Sequence, residues 1–382
     1  MKHRAKKALA ALTGGIAAFL VAVPPASADS IRDRQWHLKY LNVAEAHAQS
    51  QGDGIIVAVC DTGVNGNHPD LAGNVLPGLD VSGDGAPNGW GDADGHGTGM
   101  AGLIAGHGHG NGDGILGIAP KAKIFPIRDS RNTEISSVDP LVASIKAATK
   151  SGAKIISISQ GGSLVPEMRE AIESALAADI VVIAGMGNKP KMQLAAFPAA
   201  FPGVVAVGAT DQDGNNAALT VTGNAMLLSA PGMRIVSTDG VGGYRVADGT
   251  SDSTAIVAGA AALVRSKYPN LSAKEVIHRL TATATDKGAP GRDPEYGYGV
   301  LNLVGALTAN VPPETSGAAP TTTPPTATAS PTRTGGAALP DSDKGGSSTL
   351  PLVLLGVGVA VLAAGGLVVW LLVRRRQAPT AT

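Results

Sequence analysis

Three short stretches of this 382-residue chain place a carboxylate, an imidazole and a hydroxyl where each could do chemistry. Asp61 closes the apolar run Ile55 to Cys60 and begins Asp61-Thr62-Gly63-Val64. His96 sits in Asp94-Gly95-His96-Gly97-Thr98, just ahead of the small-residue stretch Gly99 to Ala105. Ser251 ends Gly249-Thr250-Ser251 and leads into a segment uncharged from Ser253 through Val264. A serine hydroxyl is a weak nucleophile until a base takes its proton. An imidazole titrates near neutrality, so it can take that proton and return it. A buried carboxylate fixes the tautomer of the imidazole and stabilises the imidazolium. The chemistry of such a set is acyl transfer, and it needs a fourth group aimed at the developing oxyanion. Asn188, in Gly185-Met186-Gly187-Asn188, offers a side-chain amide; the Ser251 backbone N–H at a helix start offers a second donor, helped by the helix dipole.

Taken singly, each residue has a plainer role. Ser251 could cap a helix, Asp61 could sit in a turn, and Asn188 could cap one. The joint order Asp, His, Ser, each at a strand end or helix start, is what singles them out. Two competing chemistries fit worse. Asp-Thr-Gly also opens the aspartic-protease motif, but no second Asp-[Ser/Thr]-Gly occurs in the chain. A lipase elbow reads Gly-x-Ser-x-Gly and comes first in its triad, whereas Gly249-x-Ser251-x-Ser253 comes last and ends in serine.

The elements that must position these groups show in the hydrophobic pattern. Apolar runs at 55–60, 122–127, 154–159, 180–184 and 204–207 suit strands buried on both faces. Between them, Val138 to Lys150 and Val165 to Ala177 read as amphipathic helices. Strands alternating with helices imply an α/β fold with a parallel sheet, and active groups gather at the carboxyl ends of its strands.

At this point the chain resembles the subtilase family of serine proteases, over about residues 35 to 308, and among them the membrane-anchored mycosins associated with type VII secretion. Val57 to Val64 with His68-Pro69-Asp70-Leu71 is similar to the family's aspartate motif, Gly95 to Thr98 to its histidine motif, and Gly249 to Ser251 with Val257 to Leu263 to its serine motif. Ser159, Gln160, Gly161 and Gly162 resemble the substrate-binding strand that pairs with an extended peptide. Phe197-Pro198 resembles a segment carrying a cis-proline. The resemblance implies a three-layer fold with a central, mostly parallel sheet flanked by helices. It also implies an endopeptidase with an acyl-enzyme mechanism that requires no cofactor. Relatives often bind calcium near a loop that here reads Asn111-Gly112-Asp113-Gly114, so calcium is left open. The chain departs from the family at Asp252 and Ser253, where an apolar and a small residue are usual, and at Ala255, usually proline. Gly99 stands where a second histidine is often found, and Gln160 where an apolar residue is usual, which implies a more polar groove. These departures support an alternative, a low-activity scaffold with the protease fold in an envelope secretion machine.

Elsewhere the signals are weaker. His107-Gly108-His109 lacks a clear third metal ligand, so no metal site is assigned. The acidic loop Asp80 to Asp94 reads as a solvated rim, and Cys60 as a small buried hydrophobe.

The ends read as targeting segments. Residues 1–28 combine a basic head, an apolar body and Ala26-Ser27-Ala28, which describes a secretory signal. Residues 29–50 form a short extension, 51–308 the peptidase domain and 309–349 a Pro/Thr/Gly-rich stalk. At 350–373 lies a charge-free apolar span, long enough for a hydrocarbon core of about 30 Å, with a basic tail at 374–382. Arginines stay on the cytoplasmic side, which puts the body outside a single-pass anchor. Formal net charge is zero, so no basic footprint points to nucleic acid. The expected partners are a peptide or protein substrate, the membrane and type VII secretion components.

Overall fold

Side chains of the apolar runs alternate between two cores, and this alternation sets the layers. In the first strand, Val57 and Val59 enter one core, while Ala58 and Cys60 enter the other. Val181 and Ile183 against Val182 and Ala184 repeat the division, as do Val205 and Val207 against Ala206. A strand that feeds two cores must lie between two helical layers.

The computed structural model describes residues 30–312, apart from 87, 111 and 133–137. In chain order the elements are α1 (Trp36–Tyr40), α2 (Val43–His47), β1 (Ile56–Asp61), β2 (Leu79–Asp80), α3 (His96–Ala105), β3 (His107–His109), β4 (Asp113–Leu116), β5 (Lys123–Arg128), α4 (Val138–Lys150), β6 (Ile155–Ile158), α5 (Pro166–Ala177), β7 (Val181–Gly185), β8 (Val205–Thr210), β9 (Leu228–Pro231), β10 (Ile235–Thr238), β11 (Tyr244–Ala247), α6 (Thr250–Lys267), α7 (Ala273–Ala282) and α8 (Leu303–Thr308). The central sheet has the order β2-β5-β1-β6-β7-β8-β9, and every pairing in it is parallel. Helices α3 and α6 cover one face, and α4 and α5 the other. The three-layer arrangement is the expected one. Cys60 is free and fully buried, and burial pushes its thiol up, so it serves as an apolar filler.

The N-terminal extension is stitched into this unit. Arg32 donates to the carbonyls of Asp113 and Gly114, and the Gln35 amide exchanges hydrogen bonds with the backbone of Leu116. The Trp36 indole N–H reaches the Met233 carbonyl at 3.1 Å. Among the described residues no helix is long and apolar enough to cross a membrane. The expected signal, nearly all of the stalk, the span and the tail lie outside the described residues.

Candidate active site

Asp61 is the last residue of β1, at its carboxyl end. His96 is the first residue of α3, and its Nδ1 lies 2.7 Å from Asp61 Oδ1. The approach depends on Gly97. A Cβ there would stand 2.1 Å from the Gly63 carbonyl oxygen and 3.1 Å from Asp61 Cβ, so any larger residue would pry the helix off the strand end. Gly95 precedes the helix at φ +84°, a conformation glycine adopts without strain.

The start of α3 is held by a residue misjudged from sequence. Asp92 was expected to belong to a solvated acidic rim; instead it is buried, and its carboxylate accepts four hydrogen bonds. These come from the Gly95 and Thr98 N–H groups and from the Thr62 and Thr98 hydroxyls, at 2.5–2.9 Å. An anion at a helix N-terminus satisfies orphan donors and complements the dipole. The Thr62 hydroxyl also accepts from the Gly97 N–H at 3.0 Å, tying the end of β1 to the start of α3. Asp61 Oδ1 further accepts the Thr62 N–H at 2.8 Å, while Oδ2 is buried without a hydrogen-bond partner among the described residues. The clue available in the sequence was position: Asp92 lies one turn ahead of His96.

Ser251 lies in the first turn of α6. Its hydroxyl donates to the Ser159 carbonyl at 3.0 Å, not to His96, though both line one cleft of about 290 Å³. Asn188, three residues past the end of β7, lines the same cleft. Its side-chain oxygen accepts from the Thr250 N–H at 3.0 Å and the Thr250 hydroxyl at 3.1 Å. A backbone N–H can only donate, so the oxygen faces Thr250 and the amide NH2 is left for the cleft. Met186 N–H to Val207 and Val221 N–H to Gly187 brace this loop.

Ser159, Gln160 and Gly161 line the cleft. Gly162 is drawn away, its N–H donating to Phe197 at 2.8 Å, next to the cis Phe197–Pro198 bond. The Gln160 amide turns inward, toward Asp129 and the Cys60 carbonyl. Asp129 is buried, and burial pushes its carboxyl up to about 7. For His96, burial opposes the charged form, yet Asp61 outweighs it through charge and hydrogen bond, so the imidazole is raised above its ordinary value. Ser253 bonds the Ala230 and Pro231 carbonyls at the end of β9, and Ala255 is fully buried, so these two of the three departures in the serine motif pack without a gap in polar pairing.

In the described part of the loop considered for calcium, protein groups already take the oxygens of Asp113 and Gly114. The Asp113 carboxylate takes the N–H groups of Ile31 and Gly114, and the carbonyls of Asp113 and Gly114 hold the Arg32 guanidinium, so a protein cation already occupies these oxygens. Asn111 lies outside the described residues. His109 pairs with buried Asp70 at 2.5 Å, and no group of three or more His, Cys, Asp or Glu side chains among the described residues could hold a metal.

The family model described as the subtilase family, peptidase S8, matches residues 52–299. This chain belongs to the subtilase family. It is 36% identical to subtilisin DY of Bacillus licheniformis over 67% of this chain and 92% of that one. Against subtilisin Savinase of Lederbergia lenta it is 34% identical over 71% and 97%. Among solved structures it is similar to MycP1 from Mycobacterium smegmatis, with TM-score 0.66 and 29% identity over 75% and 87% of the two chains. It is also similar to the MycP3 protease from the type VII (ESX-3) secretion system, with TM-score 0.61 and 31% identity over 72% and 88%. The protein is therefore a subtilisin-type serine endopeptidase with the subtilisin-like α/β fold, and its solved neighbours include the mycosins.

Proposed function

We propose that this subtilase cleaves extended peptide segments with Ser251 as nucleophile, His96 as base, Asp61 orienting His96 and Asn188 stabilising the oxyanion. The observation that carries the reading is the 2.7 Å contact of His96 Nδ1 with Asp61, in a cleft that Ser251 and Asn188 also line. Rotation about the Ser251 Cα–Cβ bond takes the hydroxyl from the Ser159 carbonyl toward His96, a tightening expected when substrate arrives. His96 then removes the proton as oxygen attacks the peptide carbonyl, and the Asn188 amide and Ser251 N–H receive the negative charge. His96 returns the proton to the leaving amine, and water repeats the cycle on the acyl-enzyme. The substrate backbone lies along Ser159 to Gly161, with Gly162 closing that edge.

The same reading places the enzyme outside the cell on a single-pass anchor, with its tail in the cytoplasm, from the targeting pattern of both ends. The likeness to mycosins, two of which come from the ESX-1 and ESX-3 type VII systems by their descriptions, supports association with such a machine. One observation favours the low-activity alternative: a buried carboxylate, Asp252, beside the nucleophile.

Covalent labelling of the full chain by a fluorophosphonate tests the chemistry. Labelling of wild type that disappears in Ser251→Ala is the expected result. A folded wild type that never labels would leave the scaffold reading in its place. Protease accessibility of the body on intact cells tests the topology; a body protected until lysis overturns it.

A further inference from the structure

The relay just described makes no use of Asp252. This residue follows Ser251 in the first turn of α6, is 2% exposed, and lines the cleft together with His96, Arg245 and Asp248. Its Oδ1 is buried without a hydrogen-bond partner among the described residues. The charged groups acting on it come from three places: His96 at the start of α3, Arg245 on β11, and Asp248 in the turn between β11 and α6. Arg245 packs beside Gly99, where a Cβ would lie 3.6 Å from Arg245 Cδ, at ordinary contact distance.

A carboxylate with a dry, unpartnered oxygen is costly as an anion. Burial accordingly pushes Asp252 up to about 6, against the pull of His96 and Arg245 and with the push of Asp248. Asp252 in turn favours the charged form of His96, and Arg245 disfavours it. Asp252 and His96 each sense the other's charge, so they titrate as a pair.

We propose that Asp252 is a positioning residue for the proton on His96, and that with Arg245 it sets the pH below which this protease cannot activate Ser251. The proposal rests on the serine-protease reading of the same cleft. An ionised Asp252 raises the pH at which His96 loses its proton, so His96 stays an imidazolium that cannot accept the Ser251 proton up to a higher pH. A negative charge also sits one residue from the Ser251 N–H, where it opposes the oxyanion. Loss of either proton-holding partner changes the balance in a fixed direction.

The test is the rate of fluorophosphonate labelling against pH for the full chain, in wild type, Asp252→Asn and Arg245→Gln. Asp252→Asn removes the anion and keeps the shape, so the acid limb moves down by about one pH unit and the plateau rate rises. Arg245→Gln removes the opposing cation, so the limb moves up. A structural role alone would scale the rate at every pH and leave the limb in place. Limbs that coincide with wild type in both variants, or that move the same way, overturn the proposal. Should Asp252→Asn fail to fold, Asp252→Ala takes its place: a lowered limb supports the pairing, and an unmoved or raised limb overturns it. Absence of Ser251-dependent labelling at every pH removes the protease reading and this one together. Labelling with unmoved limbs removes this one alone.

Discussion

On one side of the cleft, Asp61 and His96 already touch, and the turn that joins them to the rest of the fold is bonded through Asp92, Thr62 and Thr98. On the other side, the Ser251 hydroxyl faces the Ser159 carbonyl, and the residue after it is a buried acid with an unpartnered oxygen. The first side is finished before substrate comes. The second needs one side-chain rotation and, by our proposal, a change of proton. Different devices account for the contrast. A strand end and a capped helix start fix His96 through backbone groups, whereas a hydroxyl on a single rotatable bond takes whichever acceptor is nearest.

The hardest blow to this comparison is to remove a member of each side. His96→Ala and Ser251→Ala should each lower kcat/KM for a peptide substrate by about 10^4-fold or more. If the two sides act as one relay, the double variant is no worse than either single one. Losses that multiply would mean two independent contributions, and the relay would be wrong.

Asn188→Ala sharpens the account of the second side. A hydrogen bond to a charged group is worth about 1.5–3 kcal/mol, so kcat should fall about 10- to 150-fold. KM should stay near its wild-type value, because the amide meets charge that exists only in the transition state. A change confined to KM would assign Asn188 to ground-state binding.

Asp92→Ala probes the first side. Deleting an acceptor of four hydrogen bonds should cost about 2 kcal/mol of stability, read from the denaturant midpoint. Labelling by fluorophosphonate should slow as well, since His96 rides on the helix that Asp92 caps. Lost stability with an unchanged labelling rate would show that β1 alone holds His96 in place.

How much of this could be read in advance differs between the two sides. The strands were legible because buried parallel strands write continuous apolar runs, and Asp61, His96 and Ser251 because each stands where such an element ends or begins. Asp92 was hidden by its surroundings: in a loop of glycines and acids, a buried cap has the same composition as a wet rim. The direction of the Ser251 hydroxyl was not legible, since it depends on the Ser159 carbonyl, brought alongside from a different strand-helix unit. Arg245 carries no motif at all; its place in the cleft follows from the β10–β11 hairpin. Gly162 belonged to the expected peptide-binding stretch, yet its N–H is taken by Phe197, a pairing no local pattern announces.

The smallest effect is expected away from both sides, and it calibrates the others. Helix α7 begins with a reciprocal cap: the Ser272 hydroxyl accepts from the Glu275 N–H, and the Glu275 carboxylate reaches back to the Ser272 N–H. Neither residue lines the cleft. Ser272→Ala should lower stability by about 1 kcal/mol. The labelling rate and its pH profile should match wild type, because the cap of Ser272 and Glu275 is bonded to no relay residue. The variant therefore separates general loosening from loss of position. If Ser272→Ala slows labelling as much as Asp92→Ala does, cooperative softening of the fold explains both. The cap on α3 would then have no special hold on His96.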